Sequence, residues 1–523
     1  MQMTRMSCAI FACLALTVQA QDLQPTNQPP ALTNAQEQIS IPPPAPDSGE
    51  IRKTRVLTME EAMRLALQHN LDIQITRFTP LIDLYGLNGS YSAFEPAFKF
   101  AARHTFNSSP GQFNATSGLP QPAQELNRNI YQPEIAGTLP TGTIVDITGP
   151  LTDQSGNTVS QNSKFSSSPG ITLSQPILKN FWIDNNRLTI LLDRNLMQSD
   201  EYGLRLKIMT VITTVKNAYY NLIAARANVK VNLEALTLAE QLVSENRKRV
   251  QVGALAPLDE KQSESQAASS HANLLLAEQT LGTDENILKN LITDTFSEWA
   301  DVAPIPSESL VAVPADLDLQ ESWRKGVTSR PEIQQAKLAV EKQNINIKYS
   351  YNQLFPEVDL QGSYGRNAVD PTFSGTLSDI STGNNPFYSY GIVVTIPLGN
   401  VGPRNDYKKA KASQKQALLQ LKQQEQTIVV AIDNDIKVIR SDLQQVDATR
   451  EARIYAEAAL EAEQKKLENG KSTSFIVLQL QSNLTSARSA EIAALANYNI
   501  ALEQLALDEG STLDRNHIDL QIK

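Results

Sequence analysis

The sequence contains two related halves, and this internal repeat limits the fold more than any other feature. Residues 57–73 (LTMEEAMRLALQHNLDI) align with 317–333 (LDLQESWRKGVTSRPEI) at an offset of 260 positions. Further along, residues 248–266 align with 465–483 at an offset of 217. A repeated order of segments indicates two copies of one structural unit that pack against each other.

Each copy contains a helical segment that is too long for a compact domain. The segments run from about 187 to 250 and from about 404 to 468, and neither contains a proline. At 1.5 Å per residue each helix would be about 95 Å long. Apolar residues recur in both about every 3.5 positions, the spacing of a coiled-coil stripe: Ile208, Val211, Val215, Ala218, Leu222, Ala225, Val229, Leu233 and Leu236 in the first, and Ile428, Ile432, Ile436, Ile439, Leu443 and Val446 in the second.

A glycine-containing turn ends each long helix. The turns are VGALAP and NGKSTS, and Gly253 and Gly470 suit the left-handed conformation that commonly follows the last helical residue. A second helix follows each turn, at about 258–293 and at about 475–508. Each copy is therefore predicted to form a helical hairpin whose turn lies at a far tip.

Strand candidates precede both long helices, two in each copy. A proline marks one end of each candidate, and because proline cannot donate to a strand ladder we interpret these positions as strand–helix junctions. The first copy has 80 positions between its two prolines and the second has 41, so the first contains 39 extra residues, which we predict to be a loop. The candidates are about 97–106, 170–178, 357–366 and 388–398, with Pro96, Pro176, Pro356 and Pro397.

The N-terminus has the features of a secretory signal over residues 1–20. Arg5 precedes a short apolar segment, and Val18-Gln19-Ala20 fits the small-residue cleavage rule. Lipidation of Cys13 is the alternative. The proline-rich residues 21–56 are predicted to be a disordered linker. No later segment offers 18 consecutive apolar residues, so a helical membrane span is not expected.

Composition argues against several classes of protein. The net charge of −10 is unlike the basic surface of a nucleic-acid binder, so we expect no nucleic-acid partner. The two cysteines, Cys8 and Cys13, lie in the first 13 residues, which excludes a disulfide scaffold in the rest of the chain. The histidines are too dispersed for a ligand pair, and no catalytic motif is present. We therefore expect no enzyme activity, no cofactor and no metal site.

The repeated elements together resemble the TolC family of outer-membrane efflux proteins. The resemblance covers about 57–509 and includes L-T-x-x-E-A-x-x-x-A-L at 57–67, RPEI at 330–333, the strand–proline junctions and the paired turns. It implies a mixed α and β membrane protein, in which each protomer gives four strands to a twelve-stranded β-barrel shared by a trimer. The coiled-coil hairpins would form a periplasmic α-barrel. The implied domains are repeat 1 at 57–293, an equatorial connection at 294–316, repeat 2 at 317–509 and a C-terminal tail at 510–523.

Members of that family act as exit ducts rather than as pumps. The resemblance implies a homotrimer in outer-membrane lipid with a long periplasmic extension. It would receive drugs, metals, small molecules or polypeptides from a periplasmic adaptor protein and an inner-membrane pump of the RND, ABC or MFS type. The residues by themselves leave an alternative, a periplasmic coiled-coil scaffold without a pore, which would be nearly all helical and soluble without detergent.

The resemblance also assigns the two tips to the periplasmic entrance and to adaptor contact. Family members place carboxylates six and nine residues after the second tip glycine, and here those positions are Ile476 and Gln479. We therefore predict an apolar constriction at Ile476 instead of an acidic one. The assigned tip residues are Gly253, Ala254, Leu255, Ala256, Pro257, Leu258 and Asp259 on the first hairpin, and Gly470, Lys471, Ser472, Thr473, Ser474 and Phe475 on the second.

Overall fold

The computed structural model describes residues 53–519 except 112, 114, 115, 117, 121, 158, 160–163 and 254. The predicted signal at 1–20, the alternative lipidation site Cys13, most of the predicted linker and the tip residue Ala254 lie outside the described residues. The described end of the linker segment, 53–56, belongs to a β-strand. The linker prediction is wrong there, because these residues pair with a strand nearly 250 positions away.

The described chain alternates short helices, strands and long helices in the same order twice. In chain order, the elements are β1 (Lys53–Leu57), α1 (Met59–His69), α2 (Leu71–Ser90), β2 (Ala97–Ser109), β3 (Gln124–Thr138), β4 (Ile144–Thr148), β5 (Leu151–Gly156), β6 (Phe165–Ser167), β7 (Gly170–Pro176), α3 (Asn185–Gln251), α4 (Pro257–Ile292), α5 (Phe296–Trp299), β8 (Val302–Pro306), α6 (Leu319–Ser329), α7 (Pro331–Asn352), β9 (Glu357–Arg366), β10 (Ala368–Asp370), α8 (Phe373–Thr382), β11 (Pro386–Thr395), α9 (Val401–Glu468), α10 (Ser474–Asp508) and α11 (Thr512–Arg515).

The first helix of each copy starts with a side-chain cap. Thr58 accepts a hydrogen bond from the backbone N–H of Glu61 at the start of α1, and Asp318 accepts from Gln320 and Glu321 at the start of α6. Such caps satisfy N–H groups that have no partner within the helix. Both helices have 11 residues, and their first residues are 260 positions apart.

The long helices α3 and α9 contain 67 and 68 residues, which corresponds to about 100 Å each. Their apolar stripes are buried around Ile208 in α3 and around Ile432 in α9. Leu233, further along α3, is 51% exposed. A single chain therefore covers only part of the first stripe, and the rest is available to a neighbour.

Two apolar cores lie about halfway along the long helices. One is built mainly on α3 of the first copy, and the other mainly on α9 and α10 of the second. A fully buried tyrosine belongs to each core, Tyr219 on α3 and Tyr498 on α10. Tyr219 donates its hydroxyl hydrogen to the carbonyl of Leu57 (2.7 Å), and Tyr498 donates to the carbonyl of Val313 (2.6 Å). These bonds attach the surrounding chain, including the parallel pair β1–β8, to the helices.

The C-terminal segment after α10 packs against the helices. Leu513 on α11 is 3% exposed and belongs to the same core as Tyr219. Asn516 accepts a hydrogen bond from the Lys216 ammonium group at 3.2 Å. This part of the predicted tail is therefore a folded element.

The strands of both copies form one sheet with more strands than the sequence predicted. The four expected strands are present as β2, β7, β9 and β11, but the expectation of only four is wrong. The extra residues of the first copy, predicted as a loop, form β3, β4 and β5, and these lie between β2 and β7. The prediction failed because this segment is rich in turn-forming residues and each of its strands has only a weak alternation of polarity.

The helices of the described residues include none with both the length and the apolar character needed to cross a membrane.

Candidate functional site: the paired helical tips

The two tips have the same backbone geometry. Gly253 and Gly470 adopt left-handed conformations, with φ of 75° and 68°. Two backbone hydrogen bonds end α9 at this glycine. The Gly470 N–H donates to the Leu467 carbonyl, and the Lys471 N–H donates to the Lys466 carbonyl. Other residues rarely adopt this conformation, so glycine is required by the backbone at both turns. Apart from the two adjacent residues of the chain, no described atom lies within 4 Å of the place that a Cβ would take at either glycine, so the requirement is conformational and not steric.

A buried polar chain joins the two tips. The Asn246 side chain on α3 donates to Ser263 Oγ on α4 at 2.6 Å, and Ser474 Oγ on α10 donates to Asn246 Oδ1 at 3.0 Å. Asn246 and Ser263 are 0% exposed and Ser474 is 1% exposed. Asn246 was not identified from the sequence, because an asparagine inside a long helix is ordinarily a surface residue.

An apolar cluster lies next to this polar chain. Leu242 of α3 packs with Leu460 of α9 and with Val477 and Leu478 of α10. Leu467, which precedes the second tip glycine by three positions, packs against the same cluster. The two hairpins are therefore connected at the tip through both apolar contacts and buried hydrogen bonds.

Several apolar side chains at the tips have no cover in a single chain. Val252 is 78% exposed, Leu258 is 66% exposed and Phe475 is 57% exposed. Ile476 is 43% exposed, and the side chain of Gln479 one turn later donates to Asn483 at 3.1 Å. These side chains are available for contact with another subunit or another protein.

The first turn of α4 combines a proline with acidic residues. Pro257 occupies the first helical turn, and Asp259 and Glu260 follow it. Carboxylates are favourable there because they lie near the positive end of the helix dipole. Leu255 and Ala256 complete the described part of this turn, and Ala256 is the residue that precedes the helix.

A network of exposed ion pairs lies on the first hairpin beside its tip. Arg247 contacts Glu260 at 3.2 Å and Glu264 at 3.0 Å, and Lys261 contacts Glu264 at 2.7 Å. Hydrogen bonds from Lys261 and then from Arg247 lower the pKa of Glu264. Because the group is exposed, salt weakens these pairs and each contributes little to stability.

The second turn is tied to α9 through Glu463. Ser472 Oγ donates to Glu463 at 2.5 Å, and the Lys466 ammonium group contacts the other carboxylate oxygen at 2.8 Å. Thr473 precedes the first residue of α10. Thus the turn after Gly470 is held to α9 through Ser472.

The junction prolines lie at the other end of the helices. Pro96 and Pro356 directly precede β2 and β9, and Pro176 is the last residue of β7. Pro397 lies two residues after β11 ends and four residues before α9 begins. Each therefore stands where the chain changes between strand and helix or turn.

We expect that replacing Asn246 with alanine will loosen the tip. The change leaves the buried hydroxyls of Ser263 and Ser474 without this partner, at a cost of about 1–3 kcal/mol. Hydrogen exchange should become faster in peptides that cover 243–264 and 474–482. Asn483→Ala, which removes an exposed side chain, is the matched control. Equal exchange in the two variants would contradict a structural role for the Asn246 chain.

Within the described residues, no group of three or more His, Cys, Asp or Glu side chains is arranged to hold a metal ion.

The family model described as "Outer membrane efflux protein" matches residues 145–293 and 327–508. Among curated proteins, "Probable efflux pump outer membrane protein TtgC" of Pseudomonas putida is 23% identical over 301 residues, which are 56% of this chain and 59% of that protein. "Pyoverdine export outer membrane protein OpmQ" of Pseudomonas aeruginosa is 22% identical over 303 residues, 57% of this chain and 60% of that protein. The chain thus spans about three fifths of the length of these curated relatives.

Solved structures share the fold over most of the chain. The CmeC outer membrane channel of Campylobacter jejuni superposes with a TM-score of 0.64 at 17% identity, over 87% of this chain and 86% of that one. The outer-membrane channel OprN gives a TM-score of 0.65 at 16% identity, over 87% and 90%. The open state of the MtrE outer membrane channel of Neisseria gonorrhoeae gives 0.60 at 16% identity, over 87% and 89%.

Proposed function

Because the chain belongs to the outer membrane efflux protein family, we propose that it is the outer-membrane exit duct of a tripartite export system. In this role it conducts drugs, metals, small molecules or polypeptides passively to the exterior. The energy comes from an inner-membrane pump, so the duct itself needs no catalytic group. The repeated order of elements supports an origin by internal duplication.

The observation that carries this proposal is the pair of open edges of the sheet. Among the described strands, β2 pairs only with β3 and β11 pairs only with β9, and all 13 residues of β2 are exposed. Unpaired backbone groups are not tolerated in lipid, so a sheet of this kind must close on itself. Pairing of β2 in one copy with β11 in the next closes a ring by rotation. We propose a homotrimer, whose helices continue the ring into the periplasm.

The tips support a docking role in this proposal. Val252, Leu258 and Phe475 are exposed apolar residues at the end of the helices farthest from the sheet. Exposed apolar groups rimmed by charges are typical of a protein contact site. We propose that a periplasmic adaptor covers them and links the duct to a pump of the RND, ABC or MFS type.

The primary test is single-channel conductance of the purified protein in planar lipid bilayers, with its mass in detergent measured beforehand. Trimers that give discrete conductance steps support the duct. The alternative reading of the sequence, a periplasmic scaffold without a pore, requires a protein that is soluble without detergent. Natively folded monomers or dimers that give no conductance would contradict the proposed function.

We predict that Ile476→Asp changes the closed state of the channel. If Ile476 lies at the entrance constriction, the substitution places a ring of carboxylates in the pore, which attracts cations and weakens apolar closure. Closed-state leakage and cation selectivity should both rise in bilayer recordings. Leu258→Asp introduces the same charge at the other tip and is the control. Unchanged leakage and selectivity in the Ile476 variant would remove this residue from the gate.

A further inference from the structure

The extra residues of the first copy have a place in the sheet that bears on the width of the duct. We propose that β3 spans the membrane together with β4 and β5, which follow one another along β3 with Gly149 and Pro150 between them, so that each subunit contributes six strands to the ring. A trimer then closes eighteen strands and passes bulkier cargo than a ring with four strands per subunit. This inference rests on the proposed function and names the size class of its cargo.

The first argument is connectivity. β2 and β3 pair in antiparallel register over 13 residues, from Ala97↔Ala136 to Ser109↔Gln124. The other side of β3 pairs with both β4 and β5, and β4 pairs in turn with β7. The hairpin therefore lies inside the sheet, not beside it. An inserted hairpin adds two strands, so the antiparallel alternation from β2 to β7 is kept.

The second argument is the alternation of side chains in the part of the sheet next to the helices, where all six strands are in direct register. Six residues in direct register form one row with large apolar side chains. The row shifted by one residue lies on the opposite face and consists of small or polar side chains. A strand that separates lipid from an aqueous lumen needs this alternation. The first row is Phe98, Ile135, Ile147, Ile171, Tyr364 and Tyr388, and the second is Ala97, Ala136, Asp146, Thr172, Ser363 and Ser389.

The inserted strands supply two members of each row. Ile135 and Ile147 continue the apolar row between Phe98 and Ile171. Because a shift of one residue would move every side chain to the other face, this agreement fixes the register of the hairpin to that of its neighbours. A hairpin that projected into water would not have to continue the apolar row of its neighbours.

The third argument is the height of the hairpin. Its turn is docked at the helical end of the sheet, where the Leu139 N–H donates to the Thr143 carbonyl at 2.8 Å and Thr143 Oγ1 donates to Gln175. Gly142 in this turn has φ of 85°, and a Cβ there would lie 2.8 Å from Arg187 Nη2 at the start of α3. β3 has 15 residues, and a strand needs about 9–11 to span a bilayer. The hairpin therefore extends over the full height of the sheet.

The physical consequence is a wider ring. Barrel diameter grows roughly linearly with strand number, so eighteen strands give a diameter about 1.5 times that of twelve. Barrels of about 16–18 strands leave an open aqueous channel. The cargo class is thus solutes too wide for the narrower ring.

Cysteine labelling tests the position of the hairpin in the full-length protein reconstituted into vesicles. The only cysteines of the chain are Cys8 and Cys13, so each substitution is made in a background with Cys8→Ser and Cys13→Ser. We expect Asp146→Cys to react with a water-soluble maleimide and Ile147→Cys to react only with a lipid-soluble one. If both react with the water-soluble reagent, the hairpin lies outside the membrane and the inference is overturned.

A matched pair in β9 separates this failure from failure of the proposed function. Ser363 and Tyr364 lie in the same two rows as Asp146 and Ile147. Ser363→Cys should react with the water-soluble maleimide, and Tyr364→Cys should react only with the lipid-soluble one. If both cysteines of this pair also react with the water-soluble maleimide, the sheet does not lie in a membrane and the proposed duct is refuted. If β9 alternates and the hairpin does not, only the six-strand inference fails.

Polymer exclusion tests the width. Polymers of graded radius are added on the extracellular side, so that the distant tip does not limit entry. Deletion of 124–156 would reduce the ring from eighteen strands to twelve. The radius of the largest polymer that enters should therefore fall by about a third. An unchanged cut-off would overturn the inference. If the deletion variant does not assemble, strands are counted by electron cryomicroscopy of the wild-type ring: six per subunit are expected, and four would refute the proposal.

Discussion

Replacement of Arg330 with alanine is expected to destabilise the protein by roughly 3–5 kcal/mol, because it leaves a buried carboxylate without its cation. The Arg330 guanidinium contacts Asp508 at 2.7 Å and Glu332 at 2.8 Å. The side chains of Arg330 and Asp508 are only 14% and 10% exposed. This pair attaches the start of α7 to the end of α10, so its loss also loosens contact between the two helices.

The size of this loss should depend on pH through Asp435. Burial, followed by a hydrogen bond and charge repulsion from Asp508, raises the pKa of Asp435 to about 7, while Arg330 opposes the shift. A carboxyl whose folded pKa is raised holds a proton that the unfolded chain releases. Stability therefore falls as the pH rises from about 4 to about 7. Without Arg330 the two carboxylates repel each other most at pH 8, so the loss should be larger there than at pH 6.

Thermal unfolding in detergent at pH 6 and pH 8 measures both effects. Arg324→Ala is the control, because Arg324 makes a similarly short ion pair with Glu321 but is 68% exposed, and exposed ion pairs contribute little to stability. Adding Asp435→Asn to the Arg330 variant should restore part of the stability at pH 8. Equal losses for Arg330→Ala and Arg324→Ala would contradict the role assigned to the buried pair.

Lys216→Ala is expected to have the second large effect, again roughly 3–5 kcal/mol. Lys216 on α3 contacts Glu503 on α10 at 2.6 Å, and their side chains are 11% and 14% exposed. Lys216 also donates to Asn516 in the C-terminal segment. The charge of Glu503 lies close enough to Tyr220 to add to the effect of burial, which raises the pKa of that tyrosine to about 12. Removal of the lysine leaves this carboxylate unpaired.

Lys207→Ala provides the comparison within the same helix. Lys207 contacts Asp72 at 2.7 Å, but the two side chains are 37% and 62% exposed. Differential scanning fluorimetry should give a large decrease in the unfolding temperature for the Lys216 variant and almost none for the Lys207 variant. A double variant, Lys216→Met with Glu503→Leu, should recover much of the loss, since it removes both charges. No recovery would show that packing at Lys216, and not its charge, determines the effect.

The helical part of the fold followed from local sequence. The predicted long helices at about 187–250 and 404–468 correspond to Asn185–Gln251 and Val401–Glu468. This agreement has a simple physical cause, since a long run without proline and with a 3.5-residue apolar spacing has few alternatives to a coiled-coil helix. The left-handed glycines at the tips were predictable for the same local reason, because the conformation that ends the helix excludes most side chains.

The sheet was less predictable because its signal is not local. Residues 124–156 contain polar and turn-forming residues, and no single strand among them has a strong pattern. Their alternation becomes evident only when the register places Ile135 beside Phe98 and Ile147 beside Ile171. The polar contacts of Asn246, Arg330 and Lys216 were hidden for a related reason. In the pairs Asn246–Ser263, Arg330–Asp508 and Lys216–Glu503, the two residues are 17, 178 and 287 positions apart along the chain.

The sequence by itself determined the repeat, the long helices, the tip turns and the junction prolines, all of which depend on residues that are close along the chain. Only the tertiary structure decided how many strands share the sheet, which residue links the two tips and which charges are buried. Strand pairing and burial depend on partners brought together from distant segments, so neither can be read from one segment alone.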